Sequence, residues 1–157
     1  MTVMTSWSRL SFRPVSTPVS LLTMTKLVLA LNAGSSSLKI SLYALAETRS
    51  DHDEPVVLKI SSSITAISSP PAKFIFESAE ATSSSRHHIK EEIEAITDHA
   101  SAFAYFLRCL ERVESIDKTQ ISYICHRVVH GGEYVEPVIV SEEAYHHIES
   151  LSDLAPL

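Results

Sequence analysis

Residues 26–43, KLVLALNAGSSSLKISLY, organise this chain. An apolar run from Leu27 to Leu31 is followed by small residues, and apolar and polar residues then alternate from Leu38 to Tyr43. A period of two is typical of strands with one buried face, and small residues between two such segments favour a turn. The pattern therefore predicts two paired strands joined by a turn over residues 33–37.

The predicted turn carries groups that suit a phosphate. Gly34 lets the backbone approach a bound oxygen closely because it has no Cβ. The amides and hydroxyls of Ser35 to Ser37 can donate hydrogen bonds, and Lys39 places an ammonium group on the polar face of the second strand. From these residues alone, the hairpin is either a phosphate-binding loop or an ordinary serine-rich turn.

The residues around Lys39 exclude a Walker-type P-loop. That motif needs a second glycine before the lysine, a serine or threonine after it, and a helix beyond. Here Leu38 precedes the lysine, Ile40 follows it, and the next residues alternate as in a strand. What remains is a phosphate-binding β-hairpin, which resembles that of the actin-like and sugar-kinase-like ATPases, or an ordinary serine-rich hairpin.

A second motif, His126-Arg-Val-Val-His-Gly-Gly-Glu133, follows an apolar, strand-like run. Together with Asn-Ala-Gly-Ser-Ser-Ser-Leu-Lys at residues 32–39, it resembles the N-terminal signatures of the acetate kinase family. The closing residues, Leu154-Ala-Pro-Leu157, resemble the family sequence that directly precedes His-Asn-Pro. The resemblance covers about residues 25–157. It implies an α/β fold of the actin-like ATPase or ribonuclease H-like type, with a mixed sheet, as the incomplete first domain of a two-domain kinase.

The resemblance implies a nucleotide site at the hairpin. Ser35 and Ser37 would donate hydrogen bonds to phosphate oxygens of ATP, and Lys39 would contact the same phosphates. Asn32 would orient Mg²⁺, through water rather than by direct coordination, because its amide is neutral. The alternatives are that Asn32 is a turn-forming residue at a strand end and that Lys39 is a solvated strand lysine.

The resemblance also implies an acyl site. Arg127 would hold the carboxylate of the substrate and its acyl phosphate product, since a guanidinium is a planar fork that matches either group. Val129 and Leu157 would line the pocket for the acetate methyl group. One additional methylene changes discrimination in such a pocket by only about 1–3 kcal/mol, so propionate is a credible second substrate.

The expected reaction is reversible transfer of the γ-phosphoryl group of ATP to acetate, giving acetyl phosphate and ADP. By resemblance, the catalytic acid of the family lies beyond Leu157, so we assign no catalytic residue here. We expect the 157-residue chain to be a truncated, inactive form of a protein whose full-length relatives are homodimers. The alternatives are a propionate or butyrate kinase and a non-catalytic interaction module that keeps the hairpin.

The composition bounds the class of protein. The 157 residues carry a formal net charge of −6 and are 45% hydrophobic, which suits one modest globular domain. No apolar run approaches the roughly 20 residues that span a bilayer. The acidic balance argues against a general nucleic-acid surface but still permits a local anion site.

The histidines and cysteines do not predict a metal site. His126 and His130 have the spacing of a zincin pair, but the glutamate of that motif is absent between them. Cys109 and Cys125 show neither metal nor redox spacing. We expect both to be reduced, partly buried thiols of an intracellular protein.

Residues 1–24 differ from the remainder and are expected to form an extension before the kinase part. Arg9 and Arg13 are the only charged side chains before Lys26. This composition resembles a mitochondrial transit peptide, but the basic residues are few and prolines interrupt a helix. A disordered tail, or translation starting at Met24, explains it more simply, and we expect a cytoplasmic protein.

Periodicity predicts the other elements. Strands are expected over 56–61 and 74–76 and from 121, with a loop over 61–71, whereas residues 89–96 fit a helix or a strand. Asp98 is a plausible N-cap for a helix with an apolar stripe; the stripe comprises Phe103, Phe106, Leu107, Leu110 and Val113. A second helix is expected from Ser141 to about Leu151.

Overall fold

The computed structural model describes residues 26–45, 56–78, 87–128, 131–134 and 136–152. These residues form a six-stranded sheet, two α-helices and one short 3₁₀ turn. The strands are β1 (Lys26–Gly34), β2 (Ser37–Leu45), β3 (Val56–Thr65), β4 (Ala72–Ser78), β5 (His88–Ile93) and β6 (Ile121–His126). The helices are α1 (His99–Glu114) and α2 (Glu142–Ser152), and the 3₁₀ turn is Lys118–Gln120.

The sheet is mixed, with the strand order β5-β4-β3-β2-β1-β6. The pairs from β5 to β1 are antiparallel, and β6 joins the other side of β1 in parallel. Since β5 and β6 are the two edge strands and α1 lies between them in the chain, α1 carries the chain across the sheet. The predicted α/β class with a mixed sheet is confirmed.

The β1–β2 hairpin is confirmed, with a shorter turn than predicted. Gly34 pairs with Ser37, so only Ser35 and Ser36 lie outside the strands. Two-residue loops are the commonest connections in β-hairpins. The predicted inner face of β2 is at most 4% exposed at its three central apolar residues, Leu38, Ile40 and Leu42.

Strand β3 is longer than predicted. Residues 61–65, whose serines suggested a loop, continue the strand. The buried Ser62 donates its hydroxyl to the carbonyl of Ile75 on β4 at 2.7 Å. Because a neighbouring strand satisfies this hydroxyl, a serine can occupy the interior of the sheet without an orphaned polar group.

The ambiguous segment over residues 89–96 is a strand as far as Ile93. Its backbone pairs with β4, which places Ile89 opposite Phe76. Ile89 and Ile93 are partly buried against the core, and Ile96 is 1% exposed just after the strand. Pairing with β4 gives the backbone groups of both strands hydrogen-bond partners, which a helix over these residues would not give to the edge of β4.

The core lies between α1 and one face of the sheet. Phe106 and Leu110 of the predicted stripe are fully buried, and Phe103, Leu107 and Val113 pack against the same cluster. The Phe106 ring lies 6.1 Å from that of Phe76, between ring centroids. The stripe is therefore core packing, as predicted. The face of β1 and β2 that points away from α1 is not part of this core.

Helix α1 begins at a capping box, and the predicted N-cap is confirmed. The Ser101 amide donates to the Asp98 carboxylate at 2.7 Å, and the Asp98 amide donates to the Ser101 hydroxyl at 3.1 Å. The hydrogen bonds from the backbone and side chain of Ser101 hold the pKa of Asp98 below its ordinary value of 3.8. The charged form of this carboxylate therefore stabilises the helix start.

Acidification is expected to remove this stabilisation. Since the pKa is lower in the folded state, the contribution is complete above pH 3.8 and disappears as the pH falls through the folded-state value. The free energy of unfolding of the wild type should exceed that of Asp98→Ala at neutral pH, and the difference should shrink in acid. Urea titrations of both proteins across that range measure it. A difference that stays constant would contradict the prediction.

Helix α1 ends at Ser115 in the left-handed conformation, with φ 56° and ψ 30°. This region costs an L-residue about 1–2 kcal/mol, because Cβ crowds the backbone. Ser115→Gly is expected to raise the free energy of unfolding by about 0.5–1 kcal/mol, after the greater freedom of glycine in the unfolded chain is counted. Urea denaturation measures the change. Ser150→Gly, inside α2, is the matched control and should destabilise instead.

Helix α2 forms where predicted, with the Ser141 hydroxyl accepting a hydrogen bond from the Ala144 amide at 3.2 Å.

Of the two cysteines, Cys109 is buried, which raises the pKa of its thiol. Cys125 is exposed, so the expectation of a partly buried thiol is wrong there. It lies on the edge strand β6, which among the described residues pairs with a strand on one side only. No helix in the described ranges is long and apolar enough to cross a membrane.

Candidate functional site

Asn32 and Lys39 lie side by side on the face of the sheet opposite α1. They are directly paired across β1 and β2, so their side chains point the same way with Cβ atoms about 4.5–5.5 Å apart. Lys39 lies between the buried Leu38 and Ile40, so alternation turns its side chain away from the core. Lys39 is exposed, and Asn32 is partly buried.

Arg127 joins this pair from the end of β6. His126 pairs with Leu31, and the Arg127 amide donates to the Leu31 carbonyl at 2.9 Å. Arg127 therefore lies beside Asn32, and the three neighbouring strands present Lys39, Asn32 and Arg127 in a row. The pairing of β1 with β6 produces this arrangement, although the two motifs are far apart in the sequence.

The three side chains line one depression of about 490 Å³. Its walls are Ala30, Leu31, Asn32, Lys39, Ser41, Cys125, His126 and Arg127. Within the described residues, neither Lys39 nor Arg127 forms an ion pair with a carboxylate. Two cations without a protein counter-ion in that part of the chain make the depression suitable for an anionic ligand.

Ser35 and Ser37 lie at the end of the hairpin, beyond the Asn32–Lys39 pair. A Cβ atom on Gly34 would lie 2.9 Å from the hydroxyl oxygen of Ser37. Glycine is therefore required for the present position of that hydroxyl. The two serines do not line the depression itself but lie on the same hairpin, within the strands and turn that build its wall.

Some predicted site residues cannot be placed. Val129 and Leu157 lie outside the described residues, as does His130 of the rejected zinc pair. Gly132 of the second motif is in a turn with φ 60°, and a Cβ there would lie 2.8 Å from the Leu151 side chain. This glycine therefore lets the turn approach α2. In the described ranges, no three His, Cys, Asp or Glu side chains are grouped as a metal site.

Sequence reasoning missed Ser41 and Cys125 as lining residues. Ser41 had a signal, because it follows Lys39 by two positions on a strand and so shares its face. Cys125 had none: it reaches the depression because it pairs with Ala30 in the parallel register of β1 and β6. Local periodicity contains no information about that register.

Comparison with known proteins agrees with the two motifs. The model of the acetokinase family matches residues 27–157. The probable acetate kinase of Emericella nidulans is 40% identical over 138 residues, which cover 84% of this chain and 30% of that protein. The acetate kinase of Oceanobacillus iheyensis is 38% identical over 134 residues, covering 83% and 30% respectively. The chain thus spans about 30% of the length of these curated relatives.

Solved structures agree on the fold. A propionate kinase from Francisella tularensis superposes with a TM-score of 0.64 at 26% identity, covering 84% of this chain and 30% of that one. The acetate kinase of Porphyromonas gingivalis superposes with a TM-score of 0.61 at 24% identity, covering 84% and 31%. The predicted fold type is confirmed. With its family model matched over residues 27–157 and relatives at about 40% identity, the chain belongs to the acetokinase family.

Proposed function

We propose that this chain supplies the phosphate-binding and acyl-binding part of an acetate kinase. The reaction transfers the γ-phosphoryl group of ATP to acetate and gives acetyl phosphate and ADP, reversibly. One observation carries the proposal: Lys39 on β2, Asn32 on β1 and Arg127, directly after β6, line one depression. A nucleotide phosphate and an acyl carboxylate must meet in such a place before a phosphoryl group can pass between them.

Lys39 and Arg127 act at opposite ends of the phosphoryl group that is transferred. Lys39 is a point charge on the hairpin and contacts the phosphates of the nucleotide. Arg127 presents a planar fork of donors, which matches the carboxylate of acetate or the acyl phosphate formed from it. Phosphoryl transfer depends mainly on positioning and on compensation of the charge on the transferred oxygens, and both side chains serve these needs.

The hairpin serines complete the phosphate site. Ser35 is exposed and Ser37 partly exposed, so their hydroxyls and amides are accessible to phosphate oxygens. Because Gly34 has no side chain, the Ser37 hydroxyl can lie only 2.9 Å from the position that a Cβ on Gly34 would take. These neutral donors complement the charge of Lys39, because hydrogen bonds are directional and each one fixes the position of one phosphate oxygen.

Magnesium fits this site only as a companion of the nucleotide. Mg²⁺ keeps several waters and is held largely by substrate phosphates, with one or two protein oxygens. In the part of the chain that is described, the depression offers the Asn32 amide but no carboxylate. Asn32 would therefore hold the ion through a water molecule, and the ion would offset phosphate charge when bound.

The acyl end of the site determines the substrate. Val129 and Leu157 remain our candidates for the wall around the acetate methyl group. Because a methylene changes discrimination by only about 1–3 kcal/mol, propionate is the second candidate substrate. The likeness to a propionate kinase structure favours keeping it. Titration of the chain with acetyl phosphate and propionyl phosphate separates the two.

The proposal is confined to binding, and we assign no catalytic acid within residues 1–157. The small-molecule partners are ATP or ADP and acetate or acetyl phosphate. We further propose that residues 1–24 precede the kinase part as an extension, that the protein acts in the cytoplasm, and that its full-length form is a homodimer, as expected for full-length members of the family.

The test is a nuclear magnetic resonance titration of the ¹⁵N-labelled 157-residue chain with Mg-ATP. We expect shifts at the amides of Ser35, Ser37 and Lys39. Lys39→Ala should weaken binding about 10- to 150-fold, the range for one charge-assisted hydrogen bond. Lys90→Ala is the matched control, since Lys90 is an exposed strand lysine on the opposite edge strand, β5. Equal effects of the two substitutions, or no shift in the wild type, would contradict the proposal.

A further inference from the structure

The turn of the hairpin is held from outside by three hydrogen bonds to consecutive carbonyls. His99 Nε2 lies 2.7 Å from the Gly34 oxygen. The Ser68 hydroxyl donates to Ser35 at 3.5 Å, and the Ile67 amide donates to Ser36 at 3.2 Å. The shortest of the three comes from His99, the first residue of α1.

A hydrogen bond to a backbone carbonyl also orients the amide N–H of the next residue. The peptide unit is planar and trans, so its C=O and N–H groups point in opposite directions. When the Gly34 carbonyl is held toward His99, the Ser35 N–H is turned the opposite way. A carbonyl facing a phosphate would repel it, whereas an N–H in the same place donates a hydrogen bond.

We propose that His99 is a positioning residue for the phosphate-binding hairpin. Its Nε2–H donates to the Gly34 carbonyl and so holds the Ser35 amide in the orientation that meets a nucleotide phosphate. This inference rests on the proposed function, since it concerns the same phosphate site. The role requires a proton on Nε2, which is present in the imidazolium and in one neutral tautomer.

The environment of His99 makes it suited to this role. The capping box of Asp98 and Ser101 fixes the start of α1, and His99 is the residue directly after the N-cap. Its side chain is partly buried, which restricts the ring. The donor at Ile67 is a backbone amide, and the Ser68 contact is long at 3.5 Å. His99 is therefore the side chain whose removal most directly releases the turn.

The experiment compares Mg-ATP binding by the wild type, His99→Ala and His99→Gln. His99→Ala should weaken binding about 2- to 10-fold, the effect of one neutral hydrogen bond. His99→Gln should recover part of the loss, because its side-chain amide is also a donor. His88→Ala is the matched control, since His88 is an exposed histidine on the edge strand β5 and has its own partner, Glu77.

A second readout separates positioning from general destabilisation. Without nucleotide, His99→Ala should shift the Gly34 carbonyl and Ser35 amide resonances and leave the Phe106 ring resonances unchanged. The inference would be overturned if His99→Ala bound Mg-ATP as tightly as the wild type does, or if His88→Ala lost as much affinity as His99→Ala. Either result would leave the proposed function standing. No binding by the wild type would overturn the proposed function and, with it, the role assigned to His99.

Discussion

Replacing Arg127 by alanine is expected to weaken binding of acetyl phosphate by the 157-residue chain about 100-fold. The guanidinium can form two parallel hydrogen bonds to one anionic group, each contributing about 1.5 kcal/mol, and 1.4 kcal/mol is a factor of ten in affinity. Within the described residues no carboxylate competes for it. Calorimetric titration with acetyl phosphate measures the change.

Two further variants sharpen this test. Arg127→Lys keeps the charge but loses the planar fork, so its affinity should fall between those of the wild type and the alanine variant. Arg108→Ala is the control, because Arg108 is an exposed arginine on α1, on the other face of the sheet. Equal weakening by Arg108→Ala, or unchanged affinity in Arg127→Ala, would contradict the assignment of Arg127 to the acyl end.

The two cations should also separate by ligand. If Lys39 serves the nucleotide and Arg127 the acyl group, Lys39→Ala should affect Mg-ATP more than acetyl phosphate, and Arg127→Ala should do the reverse. Both cations line the same depression, so a generic electrostatic effect would weaken both ligands alike in both variants. The crossed pattern is therefore the outcome that supports two distinct ends of one phosphoryl-transfer site.

Phe106→Ala is expected to lower the free energy of unfolding by about 3–5 kcal/mol. Phe106 is fully buried where α1 meets the sheet, and its ring packs against Phe76 and Phe103. Truncation loses the transfer free energy of the ring and leaves a cavity that the close-packed strands cannot fill. Since small domains are stable by only about 5–15 kcal/mol, this change removes a large part of the total.

Urea denaturation followed by circular dichroism measures this loss. Phe103→Ala is the control: Phe103 is on the same helix but only partly buried, so its truncation should cost less. A change below about 1 kcal/mol for Phe106→Ala would contradict the account of the core. The variant should also disturb the hairpin, because α1 carries His99, which holds the Gly34 carbonyl.

Several elements could be predicted because their signals are local. The hairpin follows from an apolar run before the small residues Gly34 to Ser36 and alternation after them, and α1 follows from the Asp98 cap and the stripe that contains Phe106. The continuation of β3 past Ser61 could not be predicted, because the partner that satisfies the Ser62 hydroxyl lies on another strand. Residues 89–96 matched two periods, and the pairing of residues 88–93 with β4, a separate segment, distinguishes the strand from the helix.

The same division applies to the candidate site. The sequence by itself determined the donors: a serine-rich turn with Lys39 after it, and a distant motif with Arg127. Tertiary structure alone decided that β6 pairs with β1, which brings Arg127 beside Asn32, and that α1 returns His99 to the Gly34 carbonyl. The reason is physical: side-chain chemistry and periodicity are properties of neighbouring residues, whereas strand register and helix docking depend on backbone pairing and core packing between distant segments.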